Sequence, residues 1–142
     1  MPMIDIYAAA GTFADTKKLS TDAAALVKTV EQVPDIPMFR KNTAAFVHEM
    51  AAAAISNVDG DSNYVRVQVL TNAGALDRDK QITLVEKMTD LIAAAAKDPE
   101  LKKRTWVLLT EAVPGGWGLW RHAQTNEEIV AAARAEIGRL RS

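Results

Sequence analysis

Residue 2 is a proline directly after Met1, and proline is the one standard residue whose α-amine is secondary. While Met1 is attached, that nitrogen is an amide without a basic lone pair; removal of Met1 turns it into a base. α-Amino groups ordinarily titrate near ~7.7–8.0, and an apolar wall or a neighbouring cation lowers the value by disfavouring the charged form. A neutral amine could take a proton α to a carbonyl and return it elsewhere, which is enol–keto tautomerisation by general acid–base catalysis, whereas a protonated amine would act as an acid. The bland alternative is that Pro2 merely begins a strand, where its missing N–H does no harm.

The other groups able to do chemistry are few. Cysteine is absent and only His48 and His122 are present, which excludes thiolate nucleophiles, disulfides and Cys-based metal sites. No His-Glu-x-x-His spacing occurs, so no metal and no cofactor are expected. Ala9-Ala10-Gly11-Thr12 lacks the spacing and the lysine of a phosphate-binding loop. His48, flanked two residues away by Phe46 and Met50, is the best internal titrating group, and equally a core or interface histidine. Arg40, Arg66, Arg78 and Arg121 are the candidate anion binders, each with a solvated surface cation as its alternative. Arg78 is the weakest because a cation in the first turn of a helix opposes the dipole. Trp117 follows two glycines as a pocket wall would, beside the cluster Trp120, Arg121 and His122. Tyr7 and Asn72 offer hydrogen bonds near strand ends, where sites collect. Arg40, His48, Asn72, Trp117 and Arg121 are the expected substrate-binding set around Pro2.

A chain of 142 residues with 49% hydrophobic and 25% charged residues is one soluble domain with a real core. Lys plus Arg number 17 against 18 Asp plus Glu, so no global field attracts nucleic acid or an anionic membrane. No uncharged run approaches the ~20 residues of a membrane span, and no basic segment precedes an apolar one at the start. The expected location is the cytoplasm.

The elements repeat. Residues 3–8 alternate as a short strand. Asp15 caps a helix over residues 16–33 with Leu19, Ala23, Leu26, Val27, Val30 and Val33 on its apolar face, stopped by Pro34 and Pro37. Residues 44–50 form a second strand, and 64–70 a third. Asp77 caps a helix to about Lys97 with Val85, Met88, Leu91, Ile92 and Ala95 inward, and residues 106–110 form a fourth strand. A shift of 62 positions matches Asp15 with Asp77, Lys18 with Lys80, Thr21 with Thr83, Pro37 with Pro99, Thr43 with Thr105 and Glu49 with Glu111. The weight lies in the shared order of strand, cap, helix, proline and strand. Under this register Pro2 falls on Tyr64, so only the first unit carries the terminal proline. After a turn-rich stretch at residues 114–118, Thr125 and Glu128 have capping-box spacing for a last helix with Ile129, Ala133, Ile137 and Leu140 in a stripe.

A β-α-β-β-α-β order fits both the ferredoxin-like fold and the tautomerase superfamily. Met1-Pro2 opening directly on a strand resembles the tautomerase superfamily, whose members begin with a catalytic proline. Gln32-Val33-Pro34, Val47-His48-Glu49, and Glu111 followed six residues on by Trp117 look like the malonate semialdehyde decarboxylase branch. The resemblance covers about residues 2–120, with an insertion between Pro34 and Phe46. It implies an α/β (α+β) fold, with two β-α-β units (about 2–50 and 64–112) forming one mixed four-stranded sheet backed by two helices. Residues 113–142, including a C-terminal helix, are an extension of this single domain. It implies a homotrimer and a cofactor-independent tautomerase acting on a small 2-oxo acid or related carbonyl or carboxylate compound, with Pro2 as general acid/base. Decarboxylase or hydratase action and a non-catalytic binding protein are the alternatives. The chain departs from the family where the decarboxylase and dehalogenase branches place arginines: residues 71–76 hold none, and Gly11 and Thr12 stand where small tautomerases have basic residues.

Overall fold

A computed structural model describes residues 1–142. Strands β1 (Met3–Ala9), β2 (Ala44–Met50), β3 (Val65–Thr71) and β4 (Thr105–Glu111) form one sheet in the order β2-β1-β3-β4. β1 pairs parallel with β2 and β3 parallel with β4, while β1 and β3 meet antiparallel with Ile6 opposite Val67. The two strands of each β-α-β unit are therefore direct neighbours, unlike the split units of the ferredoxin-like arrangement.

Helices α1 (Thr16–Glu31) and α3 (Arg78–Ala96) cover one face. Alternation in the strands sends Ile4, Ile6 and Ala8 of β1 and Val65, Val67 and Val69 of β3 to that face, all essentially without exposure, against Leu19, Ala23 and Val27 of α1 and Leu84, Met88 and Ile92 of α3. Full burial of each larger side chain stabilises by roughly 1.5–3 kcal/mol. Asp15 and Asp77 cap the two helices by accepting from the amides of Lys18 and Lys80, as their spacing predicts. Helix α1 ends at Glu31, two residues short of the predicted end. Pro34 disfavours the helical conformation at Val33, and Gln32 closes the helix at φ +62° with its amide on the carbonyls of Lys28 and Thr29. On α3 the predicted inward Val85 is 37% exposed and Leu84 is buried in its place. The i, i+4 row Leu84–Met88–Ile92 faces the sheet; Met88 and Ile92 are buried as expected, and only the first position differs.

Between α1 and β2 the chain makes a short helix α2 (Pro37–Lys41), with Pro37 in its first turn. After β4 come a two-stranded hairpin, β5 (Trp117–Leu119) and β6 (His122–Gln124), and then α4 (Asn126–Arg141), capped by Thr125. The hairpin was not legible in the turn-rich sequence. Its two connecting residues, Trp120 and Arg121, both have positive φ (+55° and +64°), the backbone that a two-residue turn needs to match strand twist. A second apolar cluster joins α2, the hairpin and α4: Met1, Ile36, Met38, Phe39, Trp117, Ile129 and Ala133 are buried together, with Met3, Leu70 and Ile137 against them. Helix α4 thus docks on its own chain, at the end of the sheet where β1 begins and β3 stops. Leu140, expected in the apolar stripe, is 59% exposed because the helix overruns its docking surface.

The other sheet face is open. It carries Asp5 and Tyr7, Phe46 and His48, Arg66 and Gln68, and Trp106, Leu108 and Thr110, of which Phe46, Trp106 and Leu108 are about half exposed.

Candidate functional site

The start of β1 lies inside the second apolar cluster. Met1 is 2% exposed and Pro2 is buried. The Pro2 carbonyl accepts from the amide of Ala44 at 3.3 Å, which anchors the segment to the start of β2. The Met1 ammonium donates to Glu31 Oε1 at 3.3 Å, the two groups being 0% and 5% exposed. Glu31 Oε2 is buried and has no hydrogen-bond partner. A cleft of about 280 Å³ opens beside them, lined by Met1, Glu31, Val33, Phe39, residues 72–75, Asn126, Ile129 and Val130.

Each wall has a local cause. Glu31 is the last residue of α1 and continues the i, i+4 row Leu19–Ala23–Val27, so the helix carries its carboxylate inward with the apolar stripe. Lys80, near the start of α3, donates to the Glu31 carbonyl at 3.1 Å and ties the two helices at this end. The 72–75 connection turns through Gly74 at φ +73°, and its amide donates to Glu111 Oε1 at 3.1 Å. Asn126 Nδ2 donates to the Ala73 carbonyl at 2.9 Å, so the first residue of α4 closes the rim.

Burial holds the Met1 ammonium below the usual α-amino value, because removal from water disfavours the charged form; the Glu31 carboxylate and its hydrogen bond oppose that shift. A terminal nitrogen and a carboxylate therefore share a largely apolar cavity. That combination can move a proton to or from a bound molecule.

Of the residues expected around Pro2, Asn72 lines this cleft and Trp117 is buried in the same cluster. Arg40, His48 and Arg121 lie elsewhere. Arg40 donates to the Asp35 carbonyl at 2.9 Å and to its carboxylate at 3.3 Å, on a separate cleft of about 550 Å³ between α1 and the start of β2. Lys28 meets the same carboxylate at 3.0 Å; its hydrogen bond, and then that of Arg40, hold the Asp35 carboxyl below the ordinary range. His48 stands on the open sheet face, Nε2 2.7 Å from Asp5 Oδ1, stacked on Tyr7 at 4.4 Å between centroids, with the Arg66 guanidinium 5.5 Å from the Tyr7 ring. Arg121 is exposed in the hairpin turn. Glu31 escaped the sequence reading, although a charged residue continuing an apolar i, i+4 row was a visible signal.

No family model and no curated protein matches the chain. Solved structures match its fold. A member of the cis-3-chloroacrylic acid dehalogenase (cis-CaaD) family superposes at TM-score 0.72 with 13% identity, covering 92% of this chain and 90% of that one. A fused 4-OT described as a symmetric trimer gives TM-score 0.73 and 16% identity, covering 89% and 98%. A macrophage migration inhibitory factor-like protein from Entamoeba histolytica gives 0.66 and 15%, covering 83% and 94%. These proteins belong to the tautomerase superfamily, and the chain has the tautomerase fold. The malonate semialdehyde decarboxylase branch is not singled out among them.

Proposed function

We propose that this chain is a cofactor-independent enol–keto tautomerase of the tautomerase superfamily, acting on a small carbonyl compound with Pro2 as its general acid/base after loss of Met1. It works as a single domain. The observation that carries the reading is the position of the terminal segment: Met1 fills a buried cavity beside a carboxylate, in the fold of enzymes named for dehalogenase and tautomerase relatives. Departure of Met1 frees the secondary amine and empties the space that the methionine occupied beside the 280 Å³ cleft. The space that Met1 leaves is walled by the residues buried with it, Phe39, Trp117 and Ile129, and an apolar setting beside the amine favours its neutral form. Asn72 and Asn126 are the amide groups at the rim, available to orient a carbonyl oxygen.

The assembly belongs to the same reading. The fused 4-OT neighbours are described as trimers; here three copies cover their open sheet faces against one another, with Phe46, Trp106 and Leu108 as the apolar contacts and the Asp5–His48–Tyr7 group among them. No helix of the chain is long and apolar enough to cross a membrane.

The test is direct. Intact mass spectrometry shows whether Met1 is absent, and ketonisation of phenylpyruvate enol is then compared in wild type and Pro2→Ala. General acid–base catalysis contributes about 10²–10⁴-fold, so Pro2→Ala is expected to lose at least about a hundredfold in kcat. Equal rates overturn the assignment.

A further inference from the structure

We propose that Glu31 is the second acid–base group of this site, exchanging a proton with the enol oxygen while Pro2 exchanges one with carbon, and that its charge selects uncharged carbonyl compounds over carboxylates. The proposal rests on the Pro2 reading and narrows it.

Three observations point to Glu31. Its side chain is 5% exposed and borders the cleft, so this carboxylate was carried out of water into the site. Removing a carboxylate from water is costly unless a partner compensates, and here Oε1 meets only the terminal ammonium while Oε2 meets nothing. Placement is the third. Met1 N lies 3.3 Å from Oε1, and the Pro2 nitrogen is three backbone bonds further on, so it stands within roughly 7 Å of the carboxylate. Two groups flanking a C=C–O unit, each within hydrogen-bond reach of about 3 Å, need that order of separation.

The step balances with one mobile proton on the pair. A Glu31 carboxylate oxygen takes the enol O–H proton, and that bond's electrons become the carbonyl π bond. The C=C electrons take a proton from the Pro2 ammonium, whose N–H pair returns to nitrogen. The keto product leaves, and the proton now on Glu31 returns to Pro2. Enolisation is the reverse.

Charge sets the substrate class. From β1 the terminal nitrogen faces Glu31. From α3, Lys80 reaches its backbone carbonyl at 3.1 Å. The α2, 72–75 and α4 walls bring Phe39, Asn72, Asn126 and Ile129 to the cleft and no cation. With one proton on the pair the Glu31 and Pro2 charges offset each other, so a substrate carboxylate placed there finds no free cation to compensate its removal from water; an uncharged ketone, aldehyde or ester meets apolar walls.

The experiment uses protein whose intact mass lacks Met1, with phenylpyruvate and its methyl ester as paired enol probes, in wild type, Glu31→Gln, Glu31→Asp and Pro2→Ala. Wild type is expected to prefer the ester by about tenfold or more in kcat/KM. Glu31→Gln is expected to lose about a hundredfold on the ester and to narrow the ester-to-acid ratio. Glu31→Asp keeps the preference at reduced kcat, and serves where Glu31→Gln loses its circular dichroism. A folded Glu31→Gln that keeps rate and ratio, or a Glu31→Asp with wild-type kcat, overturns the role of Glu31, and leaves the Pro2 reading standing if Pro2→Ala is still inactive. Activity in Pro2→Ala, or in protein that retains Met1, overturns both.

Discussion

Leu108→Glu puts the trimer and the open sheet face to a quantitative test. Phe46 is 52% exposed, Trp106 45% and Leu108 43%. Full burial of such a side chain is worth roughly 1.5–3 kcal/mol, so covering the exposed half of each contributes about 1 kcal/mol, or about 3 kcal/mol per protomer and 9 across three. Leu108→Glu removes about a third of that. It also buries a carboxylate in each copy, at several kcal/mol apiece unless a cation reaches it. Arg66 on the neighbouring strand is already engaged, donating to Gln68 at 3.1 Å and lying over Tyr7. The summed cost, roughly 10 kcal/mol or more, exceeds the apolar gain, and each 1.4 kcal/mol is tenfold in affinity. Light scattering coupled to size exclusion at about 10 μM is expected to read a trimer mass for wild type and a monomer mass for Leu108→Glu. The monomer should keep its circular dichroism, since the new carboxylate replaces a half-exposed side chain that the core does not use. A Leu108→Glu protein that elutes as a trimer, or a wild type that elutes as a monomer, refutes burial of this face.

Further expectations follow from the packing. Met88 is fully buried in the main core, so Met88→Ala should cost about 2–5 kcal/mol through lost transfer energy and the cavity left behind, read as a lower urea midpoint at fixed protein concentration; a shift below about 1 kcal/mol would contradict the described core. Arg121 holds a left-handed conformation at φ +64° in the hairpin turn, which glycine adopts without steric cost, so Arg121→Gly should stabilise by up to about 1 kcal/mol and raise the melting temperature by a few degrees. Asp35, bound by Lys28 and Arg40, has a carboxyl below its ordinary value. Its pairing therefore stabilises the fold above the unfolded carboxylate range near ~3.9, and that contribution is lost as pH falls through the lower folded value. Asp35→Asn should accordingly narrow the stability difference between pH 7 and pH 3 in denaturant titrations, and an unchanged difference would speak against the pairing.

What the residues determined alone was everything with a short period. Alternation at Val65, Val67 and Val69, caps at Asp15, Asp77 and Thr125, and three- and four-residue apolar spacing placed the four sheet strands and the three long helices within a residue or two. The repeated order of elements pointed to paired β-α-β units. Signals of this kind are local, because backbone geometry alone sets which residues share a face. Of the candidate site residues, Asn72 lines the cleft beside Met1 and Trp117 is buried in the Met1 cluster, while Arg40, His48 and Arg121 are drawn to a separate cleft, the open sheet face and a hairpin turn. Tertiary packing decided the rest. Met1, Glu31, Phe39, Trp117 and Ile129 are scattered over the chain and share one cluster or cleft because α4 and the hairpin fold back over the end of the sheet. A cavity is made by the walls that meet around it, and no periodicity along the chain records which walls those are. The first inward position of α3 was settled the same way: Leu84 and Val85 are equally apolar neighbours, and only the position of the sheet beneath them selects which one is buried.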